Sequence, residues 1–391
     1  GDPSAGRESS PGRGSMMSMT DDIARAVAEL AETLAAHPER RMDLAEAYVL
    51  RGEPRPYPVI YLGRGPDIGA GEVMERTEPT APKPADASLL DAIRGMTGGL
   101  PMHNPIRPRL NLGKGTGTLP ASFGIALDAG LGYTPKGSRP LAAVLAEGMP
   151  DPETSGIIPE MRATIEAAKA LTPEWIEINL PDMQGPFNIA HMILGADAFL
   201  APYEEPEQFA ALMTIITDFF IAVREQLERW IGPERFPRFP GVSARIAECS
   251  VNMLSPAMYL EHVLPHDRRI AERFGQVAIH PCSGPHVFYA TMRNLPNVVY
   301  QEAGFIEKTA AGAISVDDAL AEIGDRPIIL AIGQELPEDF DAAEAIVRRD
   351  LDRANTNPRL LFAYTGMYWK TADTARITAL HRRLDDYWAR R

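Results

Sequence analysis

The chain is 391 residues long, 45% hydrophobic and 24% charged, an ordinary globular balance with ample material for a core. A net charge of −14 and a pI near 5.1 argue against nucleic acid and anionic membranes as partners, because an acidic surface repels phosphate. Apolar stretches such as Phe219-Phe220-Ile221-Ala222-Val223 fall far short of the roughly 20 residues of a membrane helix. The polar N-terminus carries no apolar signal core, so a cytoplasmic protein is expected.

Residues 1–20, rich in Gly, Ser, Pro and Arg, read as a disordered tail or cloning remnant, with a natural start near Met16 or later. A helix follows from Asp21 to Ala36, with Ile23, Val27, Leu30 and Leu34 on one face, and a second from Arg41 to Leu50. Residues 21–56 thus form an N-terminal helical extension, and 57–391 the main domain. In that domain short β-rich runs recur at Tyr57–Leu62, Trp175–Leu180, Ala244–Cys249, Val277–Cys282, Val298–Glu302, Ile328–Ile332 and Leu360–Tyr364. Amphipathic helices alternate with the later runs at Pro206–Trp230, Pro256–Phe274, Val316–Ile323, Ala342–Asn355 and Thr371–Trp388. Strand–helix alternation without hairpin signals predicts a parallel sheet covered by helices. Seven strands are visible, and an eighth fits in the Gly/Pro-rich stretch 96–135, so a single (β/α)8 barrel suits the pattern better than an open sheet. The long irregular region 64–155 reads as a lid, an active-site insertion or an oligomer contact.

Barrel enzymes carry their chemistry at the C-terminal ends of strands. Here those ends offer Asp182 and Gln184, Glu248 and Cys249, His280 and Cys282, Gln301 and Glu302, and Gln334 and Glu335. All are expected at one mouth. The sharpest element is His280-Pro281-Cys282-Ser283-Gly284, with His286 just beyond. Residues i and i+2 of a strand point to one side, so the imidazole and thiolate can share a metal ion. Cys249 lies about one β–α unit earlier and ends the preceding strand. Three ligands of Cys, His and Cys type with an open fourth position describe a catalytic zinc site, completed by Glu248, His286 or water. The competing reading is inert packing for both cysteines. Arg245 reads as an interior ion pair or an anion clamp. The basic, glycine-rich stretch Arg107–Gly117 reads as a carboxylate or phosphate holder or a solvated loop. His191 reads as structural, and His103, His262 and His266 carry no functional argument.

Four stretches resemble the uroporphyrinogen decarboxylase superfamily, closest in motif to its corrinoid-linked (methylcobamide) methyltransferase branch. They are Leu180-Pro181-Asp182-Met183-Gln184-Gly185-Pro186 with Leu194-Gly195, Leu254-Ser255-Pro256 with Tyr259 and Leu264-Pro265, the His280–Gly284 segment, and Pro358–Gly366. Together they span residues 175–388, just over half of the chain, in the family's order. The resemblance implies the barrel and a His-x-Cys zinc pair at His280 and Cys282. The branch's late cysteine is missing, since Ala363-Tyr364-Thr365-Gly366 occupies that place, and Cys249 stands in for it as a hypothesis. The arginine-rich N-terminal motif of the true decarboxylases is absent from Val59–Pro66. The implied activity is zinc-dependent methyl transfer between a small substrate and a corrinoid (cobalamin) on a partner protein. Asp182, Gln184 and Glu302 are the expected catalytic residues, and Arg245, Gln334 and Tyr364 the substrate contacts. The alternatives are a metal-free decarboxylase or lyase of the same fold, acting on a carboxylated substrate, and a non-catalytic binder.

Overall fold

A computed structural model of the chain describes residues 18–36, 59–62, 85–99, 109–110, 115–128, 134–237, 244–281, 285–302, 314–332, 337, 339–354, 360–364 and 374–390. Helix α1 (Met19–Ala36) starts two residues before its expected position. Ser18 Oγ accepts the Asp21 backbone N–H at 3.2 Å while Asp21 Oδ2 accepts the Ser18 N–H at 3.2 Å, a reciprocal cap that satisfies donors the first turn leaves open. Ile23, Ala26 and Leu30 are buried, and the helix packs on α2 (Ala85–Gly99). Residues 18–20 of the expected tail cap and open α1, while residues 1–17 and the helix at 41–50 lie outside the described residues.

The strands are β1 (Val59–Leu62), β2 (Arg109–Leu110), β3 (Ala126–Asp128), β4 (Thr134–Lys136), β5 (Glu177–Ile178), β6 (Arg245–Ala247), β7 (Val277–His280), β8 (Val298–Glu302), β9 (Ile328–Ile332) and β10 (Leu360–Tyr364). Six form one all-parallel sheet in the order β1-β10-β9-β8-β7-β6, and β2 pairs parallel with β5. The strand expected within 96–135 is β2. The first and last parallel strands are neighbours, with Val59 opposite Leu361 and Leu62 opposite Tyr364. Among the described residues no ladder joins β1 to β2 or β5 to β6, so the eight parallel strands form sheets of six and two. Several strands are shorter than their apolar runs, because Trp175 falls in a turn, Leu180 in the irregular segment after β5 and Cys249 in a 3-10 turn. The antiparallel pair β3–β4 was not anticipated. The stretch called irregular therefore holds α2, this hairpin and α3 (Leu141–Glu147).

The remaining helices are α4 (Ile158–Leu171), α5 (Pro186–Leu194), α6 (Asp197–Glu204), α7 (Pro206–Ile231), α8 (Pro256–Met258), α9 (Leu264–Phe274), α10 (Pro285–Asn294), α11 (Val316–Ile323), α12 (Phe340–Ala354) and α13 (Thr374–Ala389). Helix α7 is long and apolar enough to cross a membrane by length and composition, unlike the short run read from the sequence. In this fold it packs against α3, α4, α5, α6 and α9, burying Phe209, Leu212, Ile216, Phe219, Phe220 and Val223. Phe219 meets Phe123 edge to face at 5.3 Å. The expected single helix from Pro256 to Phe274 is interrupted by a π turn at Tyr259–Val263. Pro265 cannot donate to the carbonyl four residues back, which loosens the helical ladder there.

Among the described residues Arg235 is the largest fully buried side chain, and no described carboxylate touches it. Its Nε donates to the Ile176 carbonyl at 3.0 Å, Nη1 to the Ala168 carbonyl at 3.1 Å and Nη2 to Thr172 Oγ1 at 2.5 Å. One planar fork thus ties the C-terminal end of α4 to the entry of β5. Arg235→Met should lower the urea midpoint by the equivalent of about 2–4 kcal/mol, since it leaves buried acceptors without donors. Arg235→Lys should recover little of this, because a point ammonium cannot span the three acceptors. A Lys variant as stable as wild type would refute the fork argument.

Candidate active site at the strand ends

The loop leaving β5 runs Asn179 to Gly185 and delivers the chain to α5. Gly185 N–H donates to the Ala247 carbonyl at 2.8 Å, which lays this loop against the C-terminal end of β6. The β6–β7 register sets Ala247 opposite His280, and Glu248 N–H donates to the His280 carbonyl at 2.9 Å. Asp182, Glu248, Cys249 and His280 therefore lie at one end of the parallel strands, as expected. Glu302 and Tyr364 close β8 and β10 at that same end by backbone position. Cys282 and Gln334 lie outside the described residues, as does most of Arg107–Gly117.

Helix α5 has no capping side chain of its own, and Glu248 supplies one from across the site. Its Oε1 accepts the Phe187 N–H and its Oε2 the Asn188 N–H, both at 3.1 Å. A carboxylate at a helix N-terminus meets both open donors and the positive end of the dipole. Pro186 at the first turn has no N–H to satisfy. Beneath Glu248 lies Asp267, fully buried, whose Oδ2 accepts the Tyr259 hydroxyl at 2.8 Å. Burial, with the neighbouring Asp267 charge adding to it, drives the Glu248 carboxyl well above the usual range, and burial drives Asp267 up to about 7, so the pair retains a proton. Burial also pushes the Tyr259 phenol well up. Glu248 is thus structural, which corrects its candidacy as a metal ligand. Tyr259, one of the residues behind the family resemblance, is a support for this pair.

Above the pair lies a polar network. Gln184 Nε2 donates to Asp182 Oδ1 at 2.6 Å, and Asn188 Nδ2 donates to Gln184 Oε1 at 2.7 Å. Asn188 Oδ1 accepts the Ser250 N–H at 2.7 Å. Gln184 has φ +61°, and it alone among described non-glycine residues adopts this left-handed conformation, which costs an ordinary side chain roughly 1 kcal/mol. Arg245 Nη1 lies 3.9 Å from Asp182 Oδ1, which favours the ion-pair reading for that arginine. His191, read as structural, has its Nδ1 2.8 Å from Ser250 Oγ, and burial lowers its pKa.

Cys249 does not end the strand. It opens a 3-10 turn, Cys249–Met253, and it is disulfide-bonded. A disulfide sulfur is no thiolate, so in this state Cys249 does not offer the expected metal ligand. Asn252 Nδ2 donates to the Cys249 carbonyl at 3.1 Å and the Pro281 carbonyl at 2.7 Å, pinning the two strand ends together. Among the described residues no three His, Cys, Asp or Glu side chains gather as a metal-holding group. His286 packs edge to face on Tyr259 with ring centroids 6.5 Å apart. One of its ring nitrogens meets the Val251 backbone, while Nε2 is buried and lacks a hydrogen-bond partner among the described residues. Sequence reasoning missed Gly185, Asn188, Ser250 and Asp267. The Gly-Pro step before an uncapped helix was the available signal for the first two.

A mixed α/β fold of parallel strands with polar and ionisable groups converging at their C-terminal ends is the plan of many enzymes. No protein-family model matches the chain, and no curated protein matches it in sequence. Among solved structures it is similar to a methyltransferase from Methanosarcina mazei, with a TM-score of 0.60 and 14% identity, over 89% of this chain and 99% of that one. At that identity the likeness shows a shared fold.

Proposed function

We propose that the chain is a zinc-dependent methyltransferase that moves a methyl group between a small substrate and a corrinoid protein, on a closed (β/α)8 barrel. The observation that carries this reading is that Cys249, in the turn just past β6, and His280, the last residue of the adjacent β7, lie at one end of the sheet, on a fold shared with a methyltransferase. Pairing of the first with the last parallel strand supports closure, because an open, doubly wound sheet has no such neighbour. The donor set suits zinc once Cys249 is reduced, and Cys282 follows His280 by two residues. Zinc held there would keep a thiol substrate as thiolate or act as a Lewis acid on a leaving group.

The chain's own residues do the rest. Asn252 keeps the Cys249 and His280 strand ends in register. Asp182, beside Arg245, presents a carboxylate at the mouth that can orient a substrate or accept a proton. Gln184 directs that carboxylate. Glu302, at the end of β8, would join them in catalysis, with Arg245, Gln334 and Tyr364 as the substrate contacts, and a corrinoid protein would dock at this end of the sheet in the cytoplasm.

The test is metal analysis after reduction with a phosphine, for wild type, His280→Ala, Cys282→Ala and Cys249→Ala, beside consumption of methylcobalamin with a small thiol. Stoichiometric zinc is expected in wild type and is lost in the His280 and Cys282 variants. If Cys249→Ala keeps its zinc, the third protein ligand is another group, and His286 with its open Nε2 is the next candidate. Reduced wild type without zinc would sink the reading in favour of a metal-free decarboxylase or lyase using Asp182, Glu302 and Arg245.

A further inference from the structure

Asn188 stands inside the first turn of α5 and is 2% exposed. Its side chain joins three segments: the loop after β5, helix α5 itself, and the turn that begins at Cys249. The direction of the joining bonds is set at one end. A backbone N–H can only donate, so Ser250 requires oxygen from Asn188, which then turns its Nδ2 to Gln184. Gln184 must answer with Oε1 and send Nε2 on to Asp182. Asp182 Oδ1 also lies 3.3 Å from the Gln184 backbone N–H, so both donors of one residue converge on it. The left-handed backbone of Gln184 makes this geometry at a conformational cost, which the buried amide sustains.

We propose that Asn188 is a positioning residue: through Gln184 it fixes the carboxylate of Asp182 and, through Ser250, the turn that carries Cys249, so that the two sides of the mouth are held in register by one buried amide. Its bearing on catalysis rests on the methyl-transfer reading; the positioning itself does not. The contrasting view is that Asn188 merely fills and stabilises the helix start, in which case its loss would lower stability and leave Asp182 in place.

Asn188→Asp separates these views. It keeps the size and the acceptor for Ser250 but removes the donor to Gln184. Gln184 must then rotate its amide to donate backwards, which turns its oxygen toward Asp182. The readout is the side-chain amide pair of Gln184 in full-length protein labelled with 15N-glutamine, assigned by its disappearance in Gln184→Met. The pair should shift in Asn188→Asp, and also in Asp182→Asn, which changes the acceptor at the far end of the chain at a half-exposed site that tolerates substitution. Should Asn188→Asp not fold, Asp182→Asn and Asn188→Ser carry the same reading. In the methylcobalamin assay, Asn188→Asp should lower kcat by about 100-fold with little change in KM, the scale expected for a misplaced group of about 1 Å. An unmoved Gln184 pair in a folded Asn188 variant, or in Asp182→Asn, overturns the proposal. Inactive wild type with a responsive Gln184 pair overturns the methyl-transfer reading and leaves the positioning role supported.

Discussion

Gly185→Ala should be among the most damaging single-methyl changes in the chain, lowering stability by about 3 kcal/mol or more. A Cβ at this position would sit 2.3 Å from Glu248 Oε1, 2.4 Å from its Cδ and 2.6 Å from its Cγ, contacts no relaxed structure shows. The carboxylate cannot step aside cheaply. Both of its oxygens hold the first donors of α5, and Asp267 lies behind it. Gly185 has φ −98°, so the backbone would accept alanine and the clash alone decides the outcome. Urea unfolding of Gly185→Ala, Glu248→Ala and the double variant separates the cause. The double variant should be less destabilised than the two single losses added, because Glu248→Ala vacates the space the new methyl needs. Strict additivity would mean that the two residues do not meet as described.

Much of the framework was legible because it rests on local rules. The apolar runs at Val298–Glu302 and Ile328–Ile332 became strands, the run read at Val277–Cys282 holds β7 at Val277–His280, and α11 at Val316–Ile323 is bounded by its Ser315 cap, which accepts the Asp318 N–H at 3.0 Å. The convergence of Asp182, Cys249 and His280 followed from the parallel order alone. What the sequence concealed depends on contacts between distant segments. Glu248 looks like a strand-end ligand until α5, some 60 residues earlier in the chain, is seen to need an acceptor. Asn188 looks like a minor polar residue in an apolar helix until both ends of its amide are traced. Asp267 sits in a helix with three arginines and one other acid, Glu272, where nothing marks one acid as buried. The hairpin β3–β4 escaped because its strands carry Pro135 and Asp128 rather than an alternating apolar pattern. The state of Cys249 was equally hidden, since a cysteine's sequence neighbours do not tell a thiolate ligand from a disulfide sulfur.

Asp267→Asn should make the protein more stable than wild type above neutrality and close to it at pH 5. The folded-state pKa of Asp267 is raised to about 7 from an ordinary 3.8 by burial, and burial raises Glu248 in the same direction. A raised carboxyl means that the folded chain binds a proton the unfolded chain has released. Its contribution is therefore fully present below about pH 4 and is lost as pH rises through about 7. At about 1.4 kcal/mol per pH unit, the wild-type loss across that window is on the order of 2–4 kcal/mol. In the variant a neutral amide keeps an oxygen for the Tyr259 hydroxyl and offers its N–H to Glu248, which is then free to remain a carboxylate beneath the α5 donors. Urea midpoints of both proteins at pH 5 and pH 8 measure the effect, and comparing the two differences cancels the titrating groups outside this coupled pair. The gap between variant and wild type should move in favour of Asp267→Asn on going to pH 8. A gap that is the same at both values would show that the buried pair holds no shared proton near neutrality.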